Sequence, residues 1–564
     1  MACADRNGAP SVNPAANHAA LRPATLAIAA LFAFIILAQG IGAPFQKDAE
    51  PQSAEWIQSI VRDGHWLIPH DAYGYTDRKP PLFYWLSAVI ADASGRTVDE
   101  VRARAVSVVA GTALATAVLA WTVANVGASE GWLAFMLILG TYGFASRATE
   151  ALTDMLLTFL LFAAYSAIFP LLESHGSLRR KVFVGVMLGL GVLTKGPVAI
   201  VLCALAASIF LLIERRNPLA ILRHRWPWQV VAIAIAIGAI WYVPAAIVGG
   251  HKIVRIIFAE NFGHFMPVKL GGTGESYRPF YFIAARLLGG AFPMTILILP
   301  AALAFYTGEI SVEKRRAVIY QISMSLAVLL FFSIASVKRD DYILPALPGI
   351  AILCASVFTL ETRGLASKLR DVLVAAVVFG PIFVILYVSF FAPQVNLQSS
   401  DSAYYALFKS IGWTSPVSDF FDVWLVAVTI EVLVLSRLSR RSGIGGGIAF
   451  GLTALVLCLF WTMTMRPRLA AERSVKSFAP IVADHVKGDQ LCIPSGINYE
   501  LSYYYGNAVP DLSNKNCAYL LATPRELDAM TPEYRARLKL IAKSNLIGGG
   551  GPPALFEISS EAAK

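Results

Sequence analysis

The sequence predicts a polytopic α-helical membrane protein with a small α/β domain at its C-terminal end. Three observations carry this. Hydrophobic residues make up 56% of the 564 positions, charged residues only 15%, and mean hydropathy is +0.60, so the chain needs lipid as its solvent. Apolar runs long enough to approach the roughly 30 Å of a bilayer core recur from Ala24 to Met465. Beyond Arg466 hydropathy falls and short strand and helix patterns alternate.

Taken in order, the first run, Ala24 to Phe45, reads as an uncleaved first helix, because no A-x-A cleavage site follows it. A polar loop over residues 46–103 comes next. Further runs begin near Arg104, Trp132, Leu152, Val182, Val198, Trp228, Phe280, Ala317, Ile343, Val372, Val423 and Ile444, which makes about thirteen spans, those at Trp132 and Val182 being the shortest. An odd count places the base clusters at Arg179-Arg180-Lys181, Arg215-Arg216, Lys314-Arg315-Arg316, Arg363 to Arg370 and Arg437 to Arg441 on one side, read as cytoplasmic. The polar loop and the C-terminal segment then share the outer, periplasmic side. The expected division is residues 1–465 for the membrane domain and 466–564 for the outer one.

In the polar loop, Ser53 to Arg62 is expected to be helical with Ser53 as its cap, and Pro80 to Ala93 to be an interfacial helix carrying Phe83, Tyr84 and Trp85 at headgroup depth. In the outer segment, strands are expected at Leu491 to Pro494, Ala518 to Thr523 and Ala554 to Ile558, with helices at Ser474 to Val486, Tyr499 to Tyr505 and, longest, Arg525 to Lys543.

A net charge of +10 does not indicate nucleic acid, because the bases lie in short loops between apolar runs, where they set orientation and meet anionic lipid. Cys203, Cys354 and Cys458 fall inside apolar runs and read as small hydrophobes. Cys492 and Cys517 lie in the outer segment, where they could pair. No metal-ligand motif of the CxxC or HExxH type is present, so no resident cofactor is indicated.

Charges beside membrane spans are costly and mark function. The outer loops hold Asp48, Glu50 and Glu55, then Arg78-Lys79 before Pro80-Pro81-Leu82-Phe83-Tyr84-Trp85; Glu150 and Asp154; Lys195; His264, Arg278 and Tyr281; and Lys338 to Tyr342. Acids suit positioning or deprotonating an acceptor, and Lys, Arg and Tyr suit stabilising an anionic leaving group. A phosphate leaving group at headgroup level implies a lipid-linked substrate. The bland counterpart is that each pair is a salt bridge between loops.

GHWLIP followed by RKPPLFYWL, then ALTDMLLTF, LTKGP, NFGHF with RPFYF, and SVKRDDYILPALP resemble, in order, the landmarks of bacterial GT-C glycosyltransferases of the protein O-mannosyltransferase-like superfamily, the closest similarity being to the lipid A aminoarabinose transferases. The resemblance implies an inner-membrane enzyme that moves a sugar with inversion from undecaprenyl phosphate to lipid A on the periplasmic face. It implies a catalytic role for Asp154, and for Asp48 or Glu50 in place of the family's adjacent Asp-Glu. It implies donor or phosphate contacts for Lys79, Arg78, Tyr84, Lys195, His264, Arg278, Lys338 and Tyr342. Arg78 stands where the aminoarabinose members often have Glu, which removes a ligand from a metal site that would also use His264. The chain is expected to act as a monomer. One alternative is a related polyprenyl-phosphate-sugar transferase acting on another glycan or on protein; the competing class is a transporter of an anionic lipid, which calls for internal repeats and mid-span charges, Glu431 being the main residue of that kind.

Overall fold

The computed structural model describes residues 21–45, 49–76, 79–173, 176–262, 278–335, 337–360, 365–391, 443–486, 490–513, 517–546 and 551–559. Asp48, Arg78, His264, Glu431 and the expected span at Val423 to Leu435 lie outside the described residues.

The chain opens with α1 (Pro23–Leu37), α2 (Ala49–Asp63), α3 (Leu82–Ala93), α4 (Glu100–Asn125), α5 (Ala128–Leu139), α6 (Tyr142–Ala148) and α7 (Asp154–Ile168). It continues with α8 (Leu178–Lys195), α9 (Val198–Ile213), α10 (Arg225–Phe262), α11 (Phe282–Gly290), α12 (Thr295–Thr307), α13 (Val312–Ile334), α14 (Leu347–Ser356), α15 (Leu365–Phe391) and α16 (Gly443–Phe460). Among the described helices, five are long and apolar enough to cross a membrane, and α11 with α12, bent by 100°, would make a sixth. The helices at Pro23–Leu37, Leu82–Ala93, Ala128–Leu139 and Val198–Ile213 are apolar but shorter, and the sequence count of thirteen includes runs of this length.

Side chains that a lone helix could not bury set the packing. Tyr165 of α7 and Tyr320 of α13 stack with centroids 4.0 Å apart, and each hydroxyl donates to the other's backbone carbonyl, at 3.0 and 2.6 Å. Two aromatic rings are thereby buried with their polar tips satisfied. Helix α10 lies along α8 and breaks at Gly250, where φ is +57°.

The C-terminal segment is a mixed four-stranded sheet, in the order β1 (Leu491–Cys492), β2 (Tyr519–Ala522), β4 (Ala554–Ile558), β3 (Leu538–Lys543). β1 and β2 are parallel and the other pairs antiparallel. It has its own apolar core, which includes Phe478, Val482, Leu501, Val509, Leu521 and Leu555. The Cys492–Cys517 pair is disulfide-bonded, with Cα atoms 5.7 Å apart. Helix α17 (Arg466–Arg473) leads in, followed by α18 (Ala479–His485) and α19 (Tyr499–Tyr505). Helix α19 docks on the polar loop: Tyr504 Oη accepts from Phe45 N–H and donates to Glu100, while Tyr503 Oη donates to Val98 O.

Three local expectations are corrected. Helix α2 begins at Ala49, so Ser53 lies inside it and returns its hydroxyl to Ala49 O at 2.8 Å instead of capping. In α3, Phe83 and Tyr84 are buried, Tyr84 edge-on to Trp56 at 5.4 Å, so they join the core and not a headgroup belt. The long helix expected over Arg525 to Lys543 is two short helices, α20 (Pro524–Asp528) and α21 (Pro532–Ala536), followed by β3. Thr531 caps the second helix with Pro532 in its first turn, and the LKLIAK segment then finds a ladder partner in β4.

Candidate active site

The site forms where the polar loop, the ends of α8 and α10, and the segment before α14 converge. The LTKGP segment makes the turn from α8 into α9. Gly196 ends α8 at φ +83° and ψ −166°, a conformation essentially restricted to glycine. A Cβ there would sit 2.0 Å from Asn261 Oδ1 of α10. The turn therefore fixes Lys195 close to the end of α10.

Lys195 Nζ lies 2.5 Å from Asp154 Oδ1, at the first turn of α7, and 4.9 Å from the centroid of the Tyr342 ring. Lys79 and Lys195 line one cavity of about 330 Å3 together with Tyr342 and Glu260. Asn261 of α10 also lines it, and the rest of its wall is apolar: Val198 and Val201 from α9, Phe331 and Phe332 from α13, and Pro80, Pro197, Ala335 and Val337 nearby. Burial, with Arg339 and Lys195 close by, holds the Lys79 ammonium below the usual lysine range, although Glu260 and Asp154 oppose this. Three cations, Lys79, Lys195 and Arg339, thus share one electrostatic neighbourhood with Asp154 and Glu260, Arg339 also pairing with Asp341 at 3.6 Å, and the two lysines lining the cavity suit a phosphodiester.

A second cavity, about 550 Å3, adjoins Gln52, Gly74, Tyr75 and Thr76 of the polar loop, Lys252, Arg255, Ile256, Ala259 and Glu260 of α10, and Ile497 and Tyr499 of the C-terminal segment. Glu260 lines both cavities.

Glu50 is fully buried. Arg104 grips it through Nε at 2.8 Å and Nη2 at 3.1 Å, and the Ala151 N–H donates to it at 3.0 Å. Burial pushes its pKa up, but Arg104, together with Arg466 and the Ala151 N–H, more than offsets this and the carboxyl is held below the usual range. Arg104 also donates to the Ile41 and Ala43 carbonyls, so the pair ties the start of α2, the end of the first apolar run and α4 into one node. Lys338 directs its ammonium to the Arg278 and Ala335 carbonyls, at 3.1 and 2.5 Å. Arg278 itself lies over the Phe282 ring at 5.4 Å. Of the sequence-predicted residues, Lys79, Asp154, Lys195 and Tyr342 come together. Glu50, Tyr84, Arg278 and Lys338 are not among the residues that line this cavity. Among the described residues, no three His, Cys, Asp or Glu side chains gather as a metal site would require.

The family model for dolichyl-phosphate-mannose-protein mannosyltransferases matches residues 78–242, the stretch that contributes Lys79, Asp154 and Lys195. The undecaprenyl phosphate-alpha-4-amino-4-deoxy-L-arabinose arabinosyl transferase of Shewanella sediminis is 24% identical over 447 residues, covering 77% of this chain and 76% of that one. The corresponding protein of an Enterobacter species is 28% identical over 54% of each chain. The structure of ArnT from Cupriavidus metallidurans bound to undecaprenyl phosphate superposes with a TM-score of 0.70 at 16% identity, covering 95% of this chain and 98% of that one. The chain has the GT-C fold of ArnT and is similar in sequence to the aminoarabinose transferases. The apo form of the same ArnT matches almost equally, with a TM-score of 0.69.

Within this GT-C fold, sequence reasoning missed Glu260 and ranked Lys338 above Arg339. In AENF, Glu260 is an acid at the very end of a long apolar helix, the pattern already used to single out Asp154 at the start of one. Adjacent residues in an irregular segment point in different directions, so choosing between Lys338 and Arg339 needed the backbone.

Proposed function

We propose that this chain transfers 4-amino-4-deoxy-L-arabinose from undecaprenyl phosphate to a phosphate of lipid A, with inversion at the anomeric carbon. One observation carries the reading: the first cavity joins two lysines, Lys79 and Lys195, and the phenol of Tyr342 to an apolar wall between α9 and α13. A prenyl chain suits the wall, and its phosphate suits the lysines and the phenol. In the transfer, an oxygen of the acceptor phosphate forms the new bond to the anomeric carbon as the bond to the donor phosphate oxygen breaks. The electron pair stays on the departing undecaprenyl phosphate, which gains one negative charge. Lys79, Lys195 and Arg339 stabilise that developing charge. A phosphate acceptor is largely ionised near neutral pH, so no proton need be removed from it.

Asp154 orients Lys195 through their ion pair. With both Glu50 oxygens engaged by Arg104, Asp48 is assigned the role of the first-loop acid that positions acceptor or sugar, and Glu50 the role of supporting the loop. Arg78 and His264 remain assigned to the donor phosphate. The finer architecture belongs to the same proposal: about thirteen spans, a boundary near residue 465, a monomer in the inner membrane, and a periplasmic site and C-terminal domain.

The test is to incubate the purified full chain with the lipid-linked sugar and bisphosphorylated lipid A and weigh the lipid A. An added aminopentose mass is expected, with Lys79→Ala slowing its appearance about 100-fold. Lipid A of unchanged mass with the unaltered chain overturns the reading.

A further inference from the structure

Arg339 stands close enough to the first cavity for its charge to act on Lys79, Lys195, Asp154 and Tyr342. It lies on the irregular link between α13 and the 3-10 turn Asp340–Ala346, and its side chain is partly exposed. A long side chain on such a link has many rotamers, so holding it in one direction needs a partner. Asp341 supplies one, with its Oδ2 3.6 Å from Arg339 Nη2. Its other oxygen, Oδ1, is 2.8 Å from Nη1 of Arg147, on α6. Arg147 is held in turn by Glu150 Oε2 at 2.6 Å, and the Glu150 carbonyl accepts the Ser107 hydroxyl of α4 at 2.6 Å. Glu150 and Asp341 are buried and Arg147 nearly so, yet none of the three lines either cavity. The contact from Asp341 to Arg147 is thus short and enclosed, and the one to Arg339 longer and nearer solvent. A guanidinium carries five N–H donors, so one side of it can rest on Asp341 while another meets a phosphate.

We propose that Asp341, anchored by Arg147, is a positioning residue for the transfer, holding the Arg339 guanidinium toward the departing phosphate, an inference that rests on the proposed function. The donor phosphodiester gains a negative charge as its bond to the sugar breaks, so a well-aimed Arg339 favours the transition state and the released prenyl phosphate over the bound donor. Misaiming it lowers kcat and the affinity for sugar-free prenyl phosphate, and leaves the donor KM nearly unchanged.

The test measures kcat, donor KM, melting temperature and affinity for sugar-free prenyl phosphate in the full chain, with bisphosphorylated lipid A as acceptor. The variants are Arg339→Ala, Asp341→Asn, Arg147→Gln and Arg147→Lys, with Asp341→Asn and Arg147→Gln also combined with Arg339→Ala. Arg339→Ala is expected to lower kcat about 100-fold. Asp341→Asn and Arg147→Gln should each lower it about 10-fold, and Arg147→Lys should recover part of that loss. With Arg339→Ala already present, neither should change kcat by more than about 2-fold. Asp340→Asn, which removes only the exposed pair with Arg286, should keep kcat within about 2-fold. Losses that multiply in the combined variants, a raised donor KM in place of a lowered kcat, or an unchanged Asp341→Asn would overturn the proposal. So would unfolding of Asp341→Asn and Arg147→Lys alike, which would make the network a support of the fold. If the unaltered chain transfers no sugar, the proposed function fails by itself. The same combinations are then read in the affinity for sugar-free prenyl phosphate, and the inference falls unless the effect of Asp341→Asn vanishes once Arg339 is removed.

Discussion

Glu55 is 5% exposed on α2, against the C-terminal segment. Its Oε2 accepts the Ala72 N–H at 3.1 Å, and the Ser502 hydroxyl of α19 faces the same carboxyl. Burial raises its pKa from 4.5 to about 7; the Ala72 N–H and the Ser502 hydroxyl oppose the rise and Asp71 adds to it, with Tyr73 also facing the carboxyl. A carboxyl whose folded pKa lies above its unfolded value binds more protons when folded. Its contribution to stability is therefore greatest at low pH and is lost as pH rises from about 4.5 through about 7. Between pH 5 and pH 8 the loss comes to about 2.5 kcal/mol, or about 70-fold in a local opening equilibrium. Glu55→Gln has no charge to bury and should remove the dependence. The assay is hydrogen exchange at the Ala72 amide, corrected for its intrinsic pH dependence and compared between the two proteins across that range. If protection in the unaltered chain and in Glu55→Gln changes in parallel, the carboxyl does not titrate in this interface and the reasoning fails.

Three further outcomes are expected. Glu50→Gln breaks a fully buried ion pair and should cost about 3–5 kcal/mol, seen as reduced yield and melting temperature, whereas Asp48→Asn should give a folded, inactive protein; the reverse pattern would exchange their assigned roles. Gly196→Ala forces a Cβ into a glycine-only conformation and against Asn261, at about 1–3 kcal/mol, and should raise the KM for donor along with lowering the melting temperature. Arg339→Ala should slow transfer about 100-fold while Lys338→Ala changes it less than 10-fold, measured as lipid A mass conversion over time.

Much of the fold was legible because apolar runs and turn residues are local properties. The LTKGP turn, the α19 helix and three of the four strands are where hydropathy and turn chemistry place them. β3 was hidden because LKLIAK follows a helical-looking stretch and becomes a strand only through its pairing with β4. The site was half legible. Lys79, Asp154, Lys195 and Tyr342 announce themselves as charges or phenol beside apolar spans, but whether an acid works or merely supports depends on its partner. Glu50 and Asp154 are alike in sequence terms. One is sealed by Arg104, 54 positions later, and the other borders an open cavity through Lys195, a difference made by tertiary distance alone.

The Glu50–Arg104 node also imposes an order on how the molecule can be made. Glu50 is synthesised 54 residues ahead of its partner, and at about 5–20 residues per second it waits about 3–11 s for Arg104 to emerge. During that interval the polar loop cannot take its final form, because the guanidinium that also gathers the Ile41 and Ala43 carbonyls has not yet arrived. Substitutions at either residue should therefore appear first as chains removed by membrane quality control, and steady-state abundance must be measured before any loss of product is read as a loss of catalysis.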